Sequence, residues 1–227
     1  MLPLLTLDAG TWLDQTFHGF DYAIFEFFHS IQSGFMTALA NFFTFFGDEM
    51  FVIPVLVIGI ILCFFKKTRK YGFAIFISII IGTLITNVVL KPLVFRARPY
   101  ITMADDPFFT WYQNVGGLTE SDRSFPSGHT TGAFEIAISL ALCLKSDGKK
   151  AWSILPVVVA VMTGLSRIYL MVHYPTDVIG GVIAGLVAGV LGYFIAKAIM
   201  KSLEKGSNKL ARGLNDLDAA QLLRKKQ

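Results

Sequence analysis

Three stretches of this chain carry residue types suited to holding and attacking an anion. Lys91 and Arg98 stand six residues apart, and Pro99 follows. Pro126-Ser127-Gly128-His129 reads as the opening of a helix, with Ser127 as N-cap. Ser166-Arg167 is followed after five residues by His173 and after three more by Asp177. Lys91, Arg98 and Arg167 supply three cations, which suit a group whose negative charge is spread over several oxygens. The planar fork of arginine fits such oxygens especially well. A helix N-terminus adds outward N–H groups, and Gly128 lets the backbone come close to the anion. Asp177, four residues after His173, can fix its tautomer and stabilise the imidazolium, which makes His173 a candidate nucleophile toward phosphorus. His129 is then available as a general acid. His18 and His29 have no such context and read as structural.

These residues need elements that bring them to one place. The chain of 227 residues is 54% hydrophobic and only 16% charged, poorer in charge than the roughly 25% usual for a soluble domain. Apolar runs at Met50–Phe65, Tyr71–Phe95, His129–Leu144, Ala151–Val172 and Val178–Met200 approach the ~20 residues that cross a bilayer. Residues 1–65 contain no Lys or Arg. Basic clusters at Lys66–Lys70, Lys145–Lys150 and from Lys197 onward punctuate the runs at alternate ends. The positive-inside rule places those ends in the cytoplasm and the loops 96–126 and 171–177 outside. All three reactive stretches then reach the same outer face. Arg167 lies within an apolar run, where an arginine costs about 2.5–3.5 kcal/mol at mid-membrane, so it is expected to face a partner or a polar cavity. Glu135 is expected to face the bundle.

The expected fold is an all-α, polytopic membrane bundle of five to six transmembrane helices. Phe17–Phe28 and Phe35–Phe46 are expected to form an amphipathic pair in the outer interface; the alternative is one extra crossing with a cytoplasmic N-terminus, against which the lack of basic residues argues. A single membrane domain covers 1–202, with short or interfacial helices at 17–46 and a catalytic core at 50–201; a polar cytoplasmic tail covers 203–227. Gly180, Gly181, Gly185, Gly189 and Gly192 have the spacing of close helix contacts, within the chain or in a dimer. Cys63 and Cys143 have neither metal-ligand nor disulfide spacing and read as packing residues. Basic clusters set between apolar runs are unlike the basic face of a nucleic-acid binder.

Lys91 through Pro99, Pro126 through His129 and Ser166 through Asp177 together resemble the signature of the type 2 phosphatidic acid phosphatase family. The resemblance implies a membrane lipid phosphatase that needs no metal or other cofactor. It implies a phosphohistidine on His173, orientation by Asp177, protonation of the leaving oxygen by His129, and phosphate binding by Lys91, Arg98, Ser127, Gly128 and Arg167. It offers undecaprenyl pyrophosphate, phosphatidic acid and phosphatidylglycerol phosphate as substrates. His129-Thr130-Thr131-Gly132-Ala133 is similar to the bacterial undecaprenyl pyrophosphate phosphatases. The competing reading is a non-catalytic lipid-phosphate binder or transporter. Transport calls for ionisable groups along a path through the bilayer, whereas here they gather at one end.

Overall fold

The structure, a computed structural model, describes residues 8–105, 107–120 and 123–206, with Gly213 and Asp218. Most of the expected tail 203–227 therefore lies outside the described residues. Those described are mostly helical and contain no strand. In chain order the helices are α1 (Ala9–Ser30), α2 (Gly34–Thr44), α3 (Glu49–Cys63), α4 (Arg69–Thr83), α5 (Lys91–Val94), α6 (Pro99–Thr102), α7 (Pro107–Asn114), α8 (Gly128–Ser146), α9 (Ile154–Tyr169) and α10 (Pro175–Lys205). Side-chain oxygens cap several starts: Asp8 accepts from the Thr11 N–H, Ser33 from Met36, Asp48 from Met50 and Ser127 from Thr130.

α10 is the hub, packing against α8 and α4, while α8 also meets α9 and α4, and α3 leans on α4. The glycines of α10 make this possible. A Cβ at Gly185 would lie 2.5 Å from the Phe134 Cβ and 2.9 Å from the Thr131 carbonyl oxygen, and one at Gly192 would lie 2.8 Å from Ser78. The small-residue stripe is therefore occupied by neighbours within the chain. The apolar runs and helices agree closely at Met50–Phe65 and His129–Leu144. The Tyr71–Phe95 run differs: after α4 it winds through a π-helical turn at Leu84–Leu90 before α5. By length and composition Gly34–Cys63, Arg69–Thr102 and Pro175–Lys205 can each cross a membrane; α9 is apolar but shorter.

The two ends of the bundle differ in chemistry. At one end Lys70 is ion-paired with Asp147 and donates to Ser146 at 2.9 Å, so the α3–α4 and α8–α9 turns, both basic, lie side by side. At the other end α1 lies across the bundle. Its described contacts are with residues of that end: Gly10 abuts the Arg96 backbone, Phe25 packs on Phe108 and Tyr174, Phe28 on Tyr169, and His29 stacks on Trp111. A helix of 22 residues is about 33 Å long, so these contacts at a single level mean that it lies flat. α2 then runs antiparallel along α9: the Tyr169 hydroxyl meets Ser33 and Thr37, and Thr163 donates to the Phe43 carbonyl at 3.0 Å.

Candidate active site

The reactive residues converge where α5, α8, α9 and α10 end under α1. Two non-glycine residues with left-handed backbone deliver them: Phe95 (φ 56°) immediately before Arg96, and Met171 (φ 57°) two residues before His173. Such conformations cost about 1–3 kcal/mol each and persist where the surroundings enforce them.

His173 is buried between two partners. Its Nε2 lies 2.8 Å from Arg98 Nη1, and its Nδ1 lies 3.5 Å from Asp177 Oδ2. A guanidinium can only donate, so Nε2 must carry the lone pair and Nδ1 the proton. Burial, then Arg98 and Arg167, push the imidazole pKa well below its ordinary value, which keeps the free ring neutral. Asp177 is held in turn by Ser124, whose hydroxyl donates at 2.5 Å, and by the Tyr174 N–H at 3.0 Å. The Tyr174–Pro175–Asp177 turn closes a reciprocal cap at the start of α10.

Arg98 and Arg167 share one anion, the Glu120 carboxylate. Arg98 Nη2 lies 2.6 Å from Glu120 Oε2, and Arg167 Nη2 contacts Oε1. The same carboxylate stands 3.9 Å from His173 Nε2. Burial opposes the charge, but Arg167 and Arg98 hold the Glu120 carboxyl down to about 2. Arg167 also donates to the Thr44 hydroxyl at 2.7 Å.

His129 and Lys91 complete the rim. His129 Nε2 lies 3.6 Å from Asp48 Oδ2, and Lys91 Nζ lies 3.5 Å from where a side chain at Gly128 would begin. Lys91, Arg98, Gly128, His129 and His173 line a cavity of about 1070 Å³, which runs down between α3, α4 and α8 to Val52, Ile53, Leu56 and Ile79. Glu135 lies deeper along the same wall, in the notch left by Gly82. It faces the bundle as expected, and its Oε2 has no hydrogen-bond partner among the described residues.

The structure thus gathers the residues singled out from sequence at one end of the bundle. Ser127 is set back: its Oγ is engaged by the Thr130 N–H and hydroxyl, so the helix start presents backbone to the cavity. Glu120, Ser124 and Asp48 were not foreseen. Glu120 and Ser124 belong to the polar run Thr119–Ser124 and Asp48 stands beside Glu49, so sequence alone does not single any of them out from its polar neighbours. Among the described residues no group of three His, Cys, Asp or Glu side chains is placed to hold a metal ion. His18 stacks on Tyr22 and His29 on Trp111, both away from the cavity.

An apolar helical bundle whose one end holds a carboxylate on two arginines beside a neutral histidine is a membrane protein with a site suited to an anionic substrate. Comparison with known proteins narrows the class. Residues 69–201 match the PAP2 superfamily. The undecaprenyl-diphosphatase of Sulfolobus acidocaldarius is 32% identical over 166 residues, 72% of each chain. The phosphatidylglycerophosphatase B of Bacillus subtilis is 34% identical over 60% of this chain and 63% of its own. The crystal structure of a transmembrane PAP2 type phosphatidylglycerolphosphate phosphatase from Bacillus subtilis superposes with a TM-score of 0.65 at 28% identity, covering 85% of this chain and 90% of that one. The chain belongs to the PAP2 superfamily and is an integral membrane phosphatase.

Proposed function

We propose that the chain, with 1–202 as a single phosphatase domain, hydrolyses a lipid phosphate or lipid pyrophosphate through a phosphohistidine on His173. The site faces outward from the cytoplasmic membrane, and the basic turns and the C-terminus lie in the cytoplasm. The observation that carries the reading is the shared grip of Arg98 and Arg167 on one carboxylate, within 3.9 Å of the His173 lone pair. A carboxylate held in this way supports placing the phosphoryl oxygens at the same two arginines.

In the reaction the substrate phosphoryl group displaces Glu120 and takes Arg98, Arg167, Lys91 and the N–H groups opening α8 as donors. His173 Nε2 attacks phosphorus while the bond to the leaving oxygen breaks, and His129 supplies the proton that oxygen needs. The phosphorylated ring is cationic, with its Nδ1 proton directed at Asp177. Water then attacks phosphorus and gives a proton to His129; the N–P bond breaks, and inorganic phosphate leaves. The cations supply charge stabilisation that a metal would otherwise give.

The apolar descent of the cavity along α3 and α4 suits a lipid chain whose phosphate stays at the rim. Relatives named for undecaprenyl diphosphate and for phosphatidylglycerophosphate point to substrates of these kinds. The test is phosphate release from a panel of detergent-solubilised lipid phosphates and pyrophosphates in excess chelator. Turnover that persists is expected. Loss of turnover restored by magnesium would overturn the metal-free chemistry, and movement of lipid across vesicles without phosphate release would favour a transporter.

A further inference from the structure

Arg96 is as buried as the phosphate-gripping arginines but points away from the cavity, toward α1. Its Nη1 donates to Asp177 Oδ1 at 2.7 Å and to the Thr176 hydroxyl at 2.7 Å. Its Nη2 donates to Asp21 Oδ2 at 3.0 Å and its Nε to Asp14 Oδ1 at 2.8 Å. The Tyr174 ring covers the guanidinium face, 3.6 Å from Cζ. Asp21 also accepts from the Thr176 N–H at 2.9 Å and from its hydroxyl at 2.8 Å. One carboxylate on α1 therefore binds both the arginine that holds Asp177 and the first turn of the helix that carries it. Asp14 and Asp21 lie outside residues 69–201, the stretch that matches the family.

We propose that Asp21 and Arg96 are a positioning pair for Asp177, which makes the N-terminal helix a working part of the catalytic centre. Arg96 fixes Oδ1 of Asp177, which leaves Oδ2 turned to the His173 Nδ1 proton. Asp21 fixes Arg96, because a guanidinium held on one side only could rotate out of the Asp177 plane. Carboxylates outnumber the guanidinium three to one in this cluster. The excess negative charge behind the ring favours the cationic state that His173 enters when it bonds to phosphorus. The pair touches neither the phosphate seat nor the lipid groove, so its effect falls on the chemical step and spares binding.

The inference rests on His173 as nucleophile, and the experiment separates the two claims. Full-length wild-type, D21N, D21E, R96K and H173A chains are purified in detergent and assayed with a short-chain phosphatidic acid, with inorganic phosphate as competitor. For D21N and R96K, kcat is expected to fall by about 10- to 100-fold, with KM and the phosphate inhibition constant within about threefold of wild type. D21E is expected to recover part of the loss. D21N kinetics equal to wild type, or a loss confined to KM, would overturn the pairing. If D21N does not fold, D14N makes the same measurement at the outer edge of the cluster, with a smaller fall in kcat expected and no fall overturning the proposal. An active H173A would refute the nucleophile assignment whatever D21N shows.

Discussion

In the proposed reaction Glu120 occupies the place the phosphoryl group takes, and this fixes what its removal should do. A substrate phosphate meets two arginines that already have an anion, and on entering it must displace a carboxylate of the same sign. E120Q keeps the size of the side chain and removes the charge. We expect KM and the inhibition constant for inorganic phosphate both to fall, by about 3- to 10-fold, the scale of one weakened charge-assisted contact. An increase in both would show that Glu120 instead holds the arginines in place for the substrate. The same residue has a pH signature. Its folded pKa of about 2 lies below the ordinary 4.5, so the ion pair stabilises the fold fully above about 4.5. That contribution is lost as pH falls through 2. The melting temperature of wild type in detergent should therefore drop more steeply than that of E120Q between those pH values.

The helices themselves were largely legible in the sequence, because apolar runs bounded by Lys and Arg leave little choice about where a chain crosses a bilayer. The π-helical turn at Leu84–Leu90 was not: an apolar stretch reads the same whether its backbone winds by four residues or five. Nor was the work of α1. Asp21 looks like an interruption in an aromatic run, and its partners Arg96 and Thr176 lie 75 and 155 residues away. Motif spacing pairs His173 with Asp177, which share one turn, but gives no sign of Glu120, which reaches them only by folding. The glycine stripe of α10 was legible as a close contact, though not as to which helices it served. Gly185 meets Phe134 and Thr131 of α8, one turn from the site. G185V would wedge α8 from α10, lower stability by about 1–3 kcal/mol and reduce kcat by moving His129 away from His173. A thermal melt beside the phosphate-release assay checks both, and an unchanged melt would show that the helices can part without cost.

At the scale of the whole molecule, chemistry and charge are segregated to opposite ends of one bundle. Lys70, Lys145 and Lys149 mark one end, the arginine–histidine cluster the other, and lipid-facing Ile58, Ile80, Leu84, Val158 and Ile183 lie exposed between them. The segregation predicts topology. In intact cells a membrane-impermeant maleimide should label L118C, at the site end, and should reach K149C only after permeabilisation; the reverse order would invert the orientation. Catalysis as proposed depends on one bond, between phosphorus and a ring nitrogen of His173. That bond is labile to acid and stable to base, so the measurement is a rapid alkaline quench with radiolabelled lipid phosphate, followed by peptide mapping. Base-stable, acid-labile label is expected on the peptide carrying His173, absent from H173A together with turnover. Label on another residue, or phosphate release from H173A at the wild-type rate, would rule out His173 as the nucleophile.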